Sequence, residues 1–377
     1  MAGDRRMANI ELLRILAMVM VVIMHFLSHS GNLVEAGSTL SSVRITGTLL
    51  EMFCLVAVNT YVFISGYLGV KSRFRPGKAI TLLCQIWFYA ILIFLVLAAA
   101  GVPALGYSEG NINIYGLIQY LFPIETEHYW FATTYFMLYL LTPVLGAAAR
   151  SMSKKQLQVT LGGLLILFSG IKSVCPLMLA VDKYGYDLAW FICVYLAAAY
   201  LGLHGSAFFE KKGWLVYGLS ALASFGIQMA MWFLCQRSSS FEYYFTVPFH
   251  YNFIFCLTGA IGLFYGFLHI KMKEGRGAEI IRRLGGLSFG IYLLHEHIDL
   301  RTLWYGWLSG IINPGGRQGL LYFFLELFFC TVILFAAGIF IDWLRSILFR
   351  AAGAAFGRTK LSGKLKELDG YFALRQR

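Results

Sequence analysis

The sequence predicts an all-α fold: a polytopic membrane helix bundle with about ten transmembrane helices and both termini cytoplasmic. Three observations carry this. Of the 377 residues, 59% are hydrophobic and only 13% are charged, whereas soluble chains keep about a quarter of their residues charged. Apolar stretches of roughly 20 residues, the length that crosses a bilayer, recur along the whole chain. The basic residues are segregated between alternate loops, as cytoplasmic retention of Lys and Arg requires.

Ten segments satisfy the length criterion: about 10–30, 46–69, 79–100, 129–149, 156–175, 187–203, 214–235, 246–268, 284–300 and 320–348. The fifth is interrupted by Lys172 and the sixth is short, while the tenth is long enough to tilt or kink. Residues 111–122 are apolar enough to lie on the membrane surface. With the N-terminus inside, 24 of the 31 Lys and Arg residues fall in inner segments and six in outer loops, leaving only Arg14 within a span. The net charge of +12 is then a mark of orientation and of contact with anionic lipid; it implies no nucleic acid. The chain divides into a ten-helix domain over residues 1–348 and a basic cytoplasmic tail over 349–377, the latter expected as an interfacial helix or a frayed end.

The first segment lacks a small-residue cleavage site and reads as a retained signal anchor. The seven cysteines form no C-x-x-C pair, so neither a disulfide framework nor a zinc site is indicated. The longest loop, about 101–128, is too short for a soluble domain. Gly262 and Gly266 have the spacing that lets helices approach closely.

Polar residues inside the spans direct attention to the first segment, NIELLRILAMVMVVIMHF. Charged groups in hydrocarbon are costly and usually functional. The eleven steps from Arg14 to His25 end about 20° beyond three full turns at about 100° per residue, with roughly 16 Å of axial rise. The two side chains therefore point the same way. Glu11 and His29 each stand about 60° round the helix from Arg14, on the same side of that line. Snorkelling to the interface accounts for Arg14 alone, but not for an imidazole most of the way across on the same face. Six of the eight histidines (His25, His29, His128, His250, His295 and His297) fall in the outer half of this topology. Imidazole titrates near neutral pH and is the natural general base. His25 and His29 have the spacing of a helical metal pair, but no carboxylate lies nearby in sequence to complete a set, so no metal is expected.

On the inner side KSRFRPGK puts Lys71, Arg73, Arg75 and Lys78 just after the second span, at the depth expected of Arg14. Such donors suit a polyphosphate. There is no Walker A or G-x-G-x-x-G loop, which argues against a nucleotide-hydrolysing transporter. The pattern fits a ligand that is anionic at its cytoplasmic end and reactive at a histidine deep in the membrane, a description met by a pantetheine arm on a phosphorylated nucleotide.

NIELLRILAMVMVVIMH resembles the first-helix signature of the bacterial membrane acyltransferases called acyltransferase family 3: an acidic residue, Leu-Arg, then an apolar run ending in His. VFISGYLGV followed by a basic run, HYWFATTYFMLYLLTPVL and LSFGIYLLHEHI match in the same order, and the resemblance spans about residues 8–345. It implies a plasma (inner) membrane, multi-pass O-acyltransferase that moves an acyl group, often acetyl from acetyl-CoA, to a hydroxyl of a surface saccharide or its lipid-linked precursor. Acyl-CoA is then a co-substrate and no cofactor is bound permanently. By the same resemblance His25, Arg14 and Glu11 form the catalytic set, with Arg14 and one or more of Lys71, Arg73, Arg75 and Lys78 holding the donor's phosphates. The family often carries Arg-x-x-Arg at that place; this chain has Arg73, Arg75 and Lys78. His128, Trp130 and His295 are expected to orient the acceptor or the imidazole, and Tyr129, Trp130 and Tyr135 suit stacking against a sugar. The rival reading is a transporter or flippase for an anionic or sugar-linked substrate. Such carriers commonly show internal repeats, and no second copy of the Glu11–His25 pattern is found.

Overall fold

The computed structural model describes residues 6–108, 111–176, 183–357 and 360–372. Its helices in chain order are α1 (Ala8–Ser30), α2 (Ser42–Cys54), α3 (Ala57–Gly69), α4 (Pro76–Ala99), α5 (Ile114–Leu121), α6 (Trp130–Ser151), α7 (Lys154–Leu165), α8 (Ile171–Val174), α9 (Leu188–His204), α10 (Ala207–Cys235), α11 (Glu242–Thr246), α12 (Ile254–Leu268), α13 (Arg276–Leu287), α14 (Phe289–His295), α15 (Trp304–Ile312), α16 (Leu320–Phe356) and α17 (Lys360–Tyr371). Two-residue strands β1 (Tyr107–Ser108) and β2 (Asn111–Ile112) pair antiparallel beside α5.

Among the described residues, eight helical segments are long and apolar enough to cross a bilayer, and they coincide with eight of the ten expected. The other two differ for physical reasons. α9 has only 17 residues, opened by the Asp187 side chain accepting from Trp190 N–H and closed at Gly205. The ninth expected segment is two helices interrupted at Ser288, and it ends at His295 rather than near 300. Gly285 and Gly290 lie on either side of that interruption. A Cβ on Gly285 would stand 2.6 Å from Glu11 Oε2, and one on Gly290 would stand 2.5 Å from Asp342 Cβ, so both glycines let α13 and α14 seat directly on α1 and α16.

Burial sorts the spans into an inner and an outer set. The spans Ser42–Gly69 and Ser239–Leu268 are 78% buried and α1 is 61% buried, whereas the remaining long spans are at most 33% buried. α1 packs on α2, α3, α12, α13, α14 and α16, and Asn9 ties its start to α12 by donating to the carbonyls of Phe267 and Leu268 at 3.1 and 3.0 Å. It ends at Gly31, whose φ of 67° is the left-handed stop that glycine adopts without penalty. The Gly262–Gly266 spacing does bring helices together: a Cβ on Gly262 would meet Gly213 O of α10 at 2.7 Å.

The contacts also sort the helix ends into two faces. Arg282 donates to Arg6 O, the α3–α4 turn lies beside α17 through Gly77 and Asp369, and Arg150 reaches Val70 O. This terminal face therefore holds both ends of the described chain. The expected boundary at residue 348 falls inside α16, which runs unbroken to Phe356; α17 then turns back onto α4.

A buried ionic group joins α16 to α4. Arg345 Nε and Nη2 donate to the two oxygens of Asp342 at 2.6 and 2.9 Å, and Gln85 and Tyr89 of α4 complete the shell at 2.9 and 3.2 Å. Four donors on one carboxylate satisfy a charge that hydrocarbon would otherwise penalise.

Candidate active site

The stripe Arg14, Met18, Val21, His25 runs up one side of α1. Its upper three members line a narrow cavity of about 30 Å³, closed by Tyr61, Trp130 and Tyr251 among others. Arg14 stands at the lower end, paired with Glu11, whose other oxygen is 3.4 Å from Arg6 Nη1. Tyr61 donates to the Arg14 carbonyl oxygen at 2.6 Å, fixing the level of α3 beside it. Ten residues separate Tyr61 from Lys71, roughly 15 Å if helical throughout. Arg14 thus lies deeper than the basic turn, not level with it. In that turn Lys71, Arg73 and Lys78 are exposed and Arg75 is half-buried, with the Arg75 carbonyl accepting from Tyr139 at 3.1 Å.

At the upper end His25 meets α14. His25 Nδ1 is 2.8 Å from His295 Nε2, and His295 Nδ1 is 2.6 Å from Ile291 O. A carbonyl oxygen only accepts, so His295 carries its proton on Nδ1 and offers the Nε2 lone pair. His25 must then donate from Nδ1, which leaves its own Nε2 as a free lone pair. This chain of two bonds fixes both tautomers. Glu296 Oε1 stands 3.3 Å from the same Nδ1, opposite any positive charge the imidazole acquires.

Residues 7–343 match the family model of an acyltransferase domain, that of acyltransferase family 3. The chain belongs to acyltransferase family 3. No curated protein and no solved structure matches it. With eight helical segments among the described residues long and apolar enough to cross a membrane, the protein is a multi-pass membrane acyltransferase.

Within this acyltransferase the residues singled out in sequence separate into two groups. Glu11, Arg14, His25, Trp130 and His295 gather on or at the ends of the α1 stripe. His128 does not join them. It is buried against His297, with ring centroids 4.4 Å apart, and neither of its nitrogens has a hydrogen-bond partner among the described residues. His297 Nε2 faces Ala90 O at 3.2 Å, and Asp299 accepts from Tyr120 at 2.6 Å nearby. Burial pushes the His128 imidazole down to about 2, helped by His297 and Arg301, so this ring is neutral.

Glu296 is the neighbour of His25 that sequence reasoning passed over. The signal was present: a carboxylate in LLHEHI, next to a histidine already chosen. Its place opposite His25, about 270 positions earlier in the chain, is a long-range matter. His25, His295 and Glu296 also have the composition of a metal triad, with ligand atoms within 4.8 Å of one another. The 2.8 Å between the two imidazole nitrogens fits a hydrogen bond; two nitrogens on a tetrahedral zinc stand roughly 3.3 Å apart given bonds of about 2.0 Å. His29, which shares with His25 only the spacing of a helical metal pair, packs edge-on to Trp304 at 5.6 Å.

Proposed function

We propose that this acyltransferase transfers an acyl group, most simply acetyl, from acyl-CoA to a hydroxyl of a cell-surface saccharide or its lipid-linked precursor, with His25 as general base. The observation that carries the reading is the His25–His295–Ile291 chain, because it leaves His25 Nε2 as a fixed lone pair in a largely apolar cavity. The acceptor O–H gives its proton to Nε2 as its oxygen attacks the thioester carbon. Glu296 and the His295 lone pair stabilise the resulting imidazolium at Nδ1. The C–S bond then breaks, and the leaving thiolate takes the proton back from Nε2 as CoA.

The donor enters from the cytoplasmic side in this scheme. Arg14 is the deep phosphate ligand, and Lys71, Arg73, Arg75 and Lys78 meet the outlying phosphates at the rim. Its support is the axial separation of roughly 16 Å between Arg14 and His25, comparable to the reach of a pantetheine arm. The reading of cytoplasmic termini in an inner membrane is supported by the bias of 24 of 31 basic residues, together with the terminal face described above. Ten crossings result when α9 and the α13–α14 pair are added to the eight long spans.

The test is transfer of label from acetyl-CoA into the saccharide fraction of membranes carrying the wild type, His25→Ala or Arg14→Ala. Label in the wild type alone is expected. Full transfer by His25→Ala would falsify the base role, and absence of label from the wild type would turn the assignment to another donor or acceptor.

A further inference from the structure

A further buried acid, Glu51, lies on the side of the cavity away from Arg14. Glu51 is 7% exposed, and its Oε2 has no hydrogen-bond partner among the described residues. A carboxyl held this way within a membrane span is costly unless something uses it. We infer that Glu51, together with Trp130, Tyr186 and Tyr251, forms the subsite that receives the acceptor saccharide. The inference rests on the proposed function above.

Helical geometry sets the direction of Glu51. The span Ser42–Gly69 keeps right-handed helical dihedrals through Leu55 and Val56. The seven steps from Glu51 to Val58 are about 20° short of two full turns, with a rise of roughly 10 Å. Val58 lines the His25 cavity, so Glu51 stands on the same stripe, two turns nearer the face opposite the termini. The Tyr251 segment lies against that stripe. Asn59 donates to Tyr251 O at 2.7 Å, and the Cys256 thiol meets Leu55 O at 3.5 Å. The phenols of Tyr186 and Tyr251 are both within electrostatic reach of the Glu51 carboxyl.

The aromatic part is a three-sided cradle. Trp130 stacks on Tyr251 with centroids 5.7 Å apart and planes 19° apart, and Tyr186 touches them at 4.4 and 4.6 Å. Trp130 and Tyr251 both line the cavity, while Tyr186 is 37% exposed and opens the cradle outward. A pyranose ring has an apolar C–H face that lies on an aromatic ring and an equatorial rim of hydroxyls that hydrogen-bond to a carboxyl group. The cradle supplies the first contact and Glu51 the second, at one end of a cavity whose other wall is His25. The backbone fixes Tyr251 in this position, since its N–H donates to Tyr184 O at 3.1 Å and Gly185, with φ of 85°, leaves room for its Cβ.

The experiment titrates the saccharide fraction extracted from the cell envelope as acceptor, at saturating labelled acetyl-CoA, with the full-length protein in nanodiscs. Wild type, Glu51→Gln and Tyr186→Ala are compared, the last because a part-exposed aromatic is the change least able to disturb folding. The expected result is an acceptor KM raised tenfold or more in both variants, with donor KM within twofold of wild type. Unchanged acceptor KM in both overturns the subsite while the acyltransferase reading stands. A rise in donor KM equal to that for acceptor also overturns it, since the effect is then on the whole bundle. Absence of transfer by the wild type removes the saccharide reading and the subsite with it.

Discussion

His25 and His295 face each other across α1 and α14, Nδ1 to Nε2 at 2.8 Å, and His295 is itself anchored to the Ile291 carbonyl at 2.6 Å. Replacing His295 with Phe keeps a ring of similar bulk and removes the acceptor for His25 Nδ1–H. Turnover is expected to fall roughly 10²-fold, the lower range for a positioned acid or base, with donor KM little changed. His295→Asn, whose carbonyl restores an acceptor, should regain part of kcat. Equal turnover in wild type and His295→Phe would show that His25 does not depend on this bond.

The same geometry decides what chelators do. Because the His25–His295 spacing fits a hydrogen bond, prolonged dialysis of the purified protein against EDTA or phenanthroline is expected to leave acyl transfer intact. Loss of activity restored by added zinc would reassign His25, His295 and Glu296 as ligands.

Gly285 connects the α13–α14 interruption to the donor end of the site. A methyl there would meet Glu11 Oε2 at 2.6 Å, and Glu11 is the partner of Arg14. Gly285→Ala is therefore expected to raise donor KM several-fold and to leave acceptor KM near its wild-type value. An effect confined to acceptor KM would contradict the link between α13 and the phosphate end.

Asp342 is fully buried with Arg345. Asp342→Ala strands the guanidinium, which costs about 3–5 kcal/mol when a buried pair is broken. Asp342→Leu with Arg345→Met removes both charges and should recover most of that loss, as measured by thermal unfolding in detergent. If the double variant is no more stable than Asp342→Ala, Arg345 is satisfied by other means.

His128 carries a pH dependence whose sign is fixed by burial. Its folded value, about 2, is below the unfolded one of about 6.5. The unfolded chain thus takes up the proton first as pH falls, and the stability contributed by the neutral ring is full above about 6.5 and declines below it, by about 1.4 kcal/mol per pH unit. His128→Phe should lose less thermal stability than wild type between pH 7 and pH 5. Parallel declines would mean that other groups dominate in this range.

Much of the site was legible in the chain because it lies on one helix. The 3.6-residue period alone aligns Glu11, Arg14 and His25, and it makes Met18 and Val21 the lining between them. His295 was named but its role was open, and Glu296 was missed, because periodicity along α14 says nothing about which helix it will face. The assumed common depth of Arg14 and the basic turn failed for a similar reason. Loop position gives a side of the membrane, while depth depends on how α1 slides against α3, and the Tyr61–Arg14 bond sets that.

What the sequence by itself determined is the all-α membrane class, the membership foreshadowed by the α1 motif and the uneven distribution of basic residues. Hydrophobic length, helical period and charge are local quantities, and each can be read from the order of residues. Only the tertiary structure decided that the ninth segment breaks at Ser288, that His295 and Glu296 turn toward His25, and that Trp130, Tyr186 and Tyr251 cluster together. These are pairings between residues about 270 positions apart at the widest, selected by close glycine contacts and buried hydrogen bonds that exist only once the helices have packed.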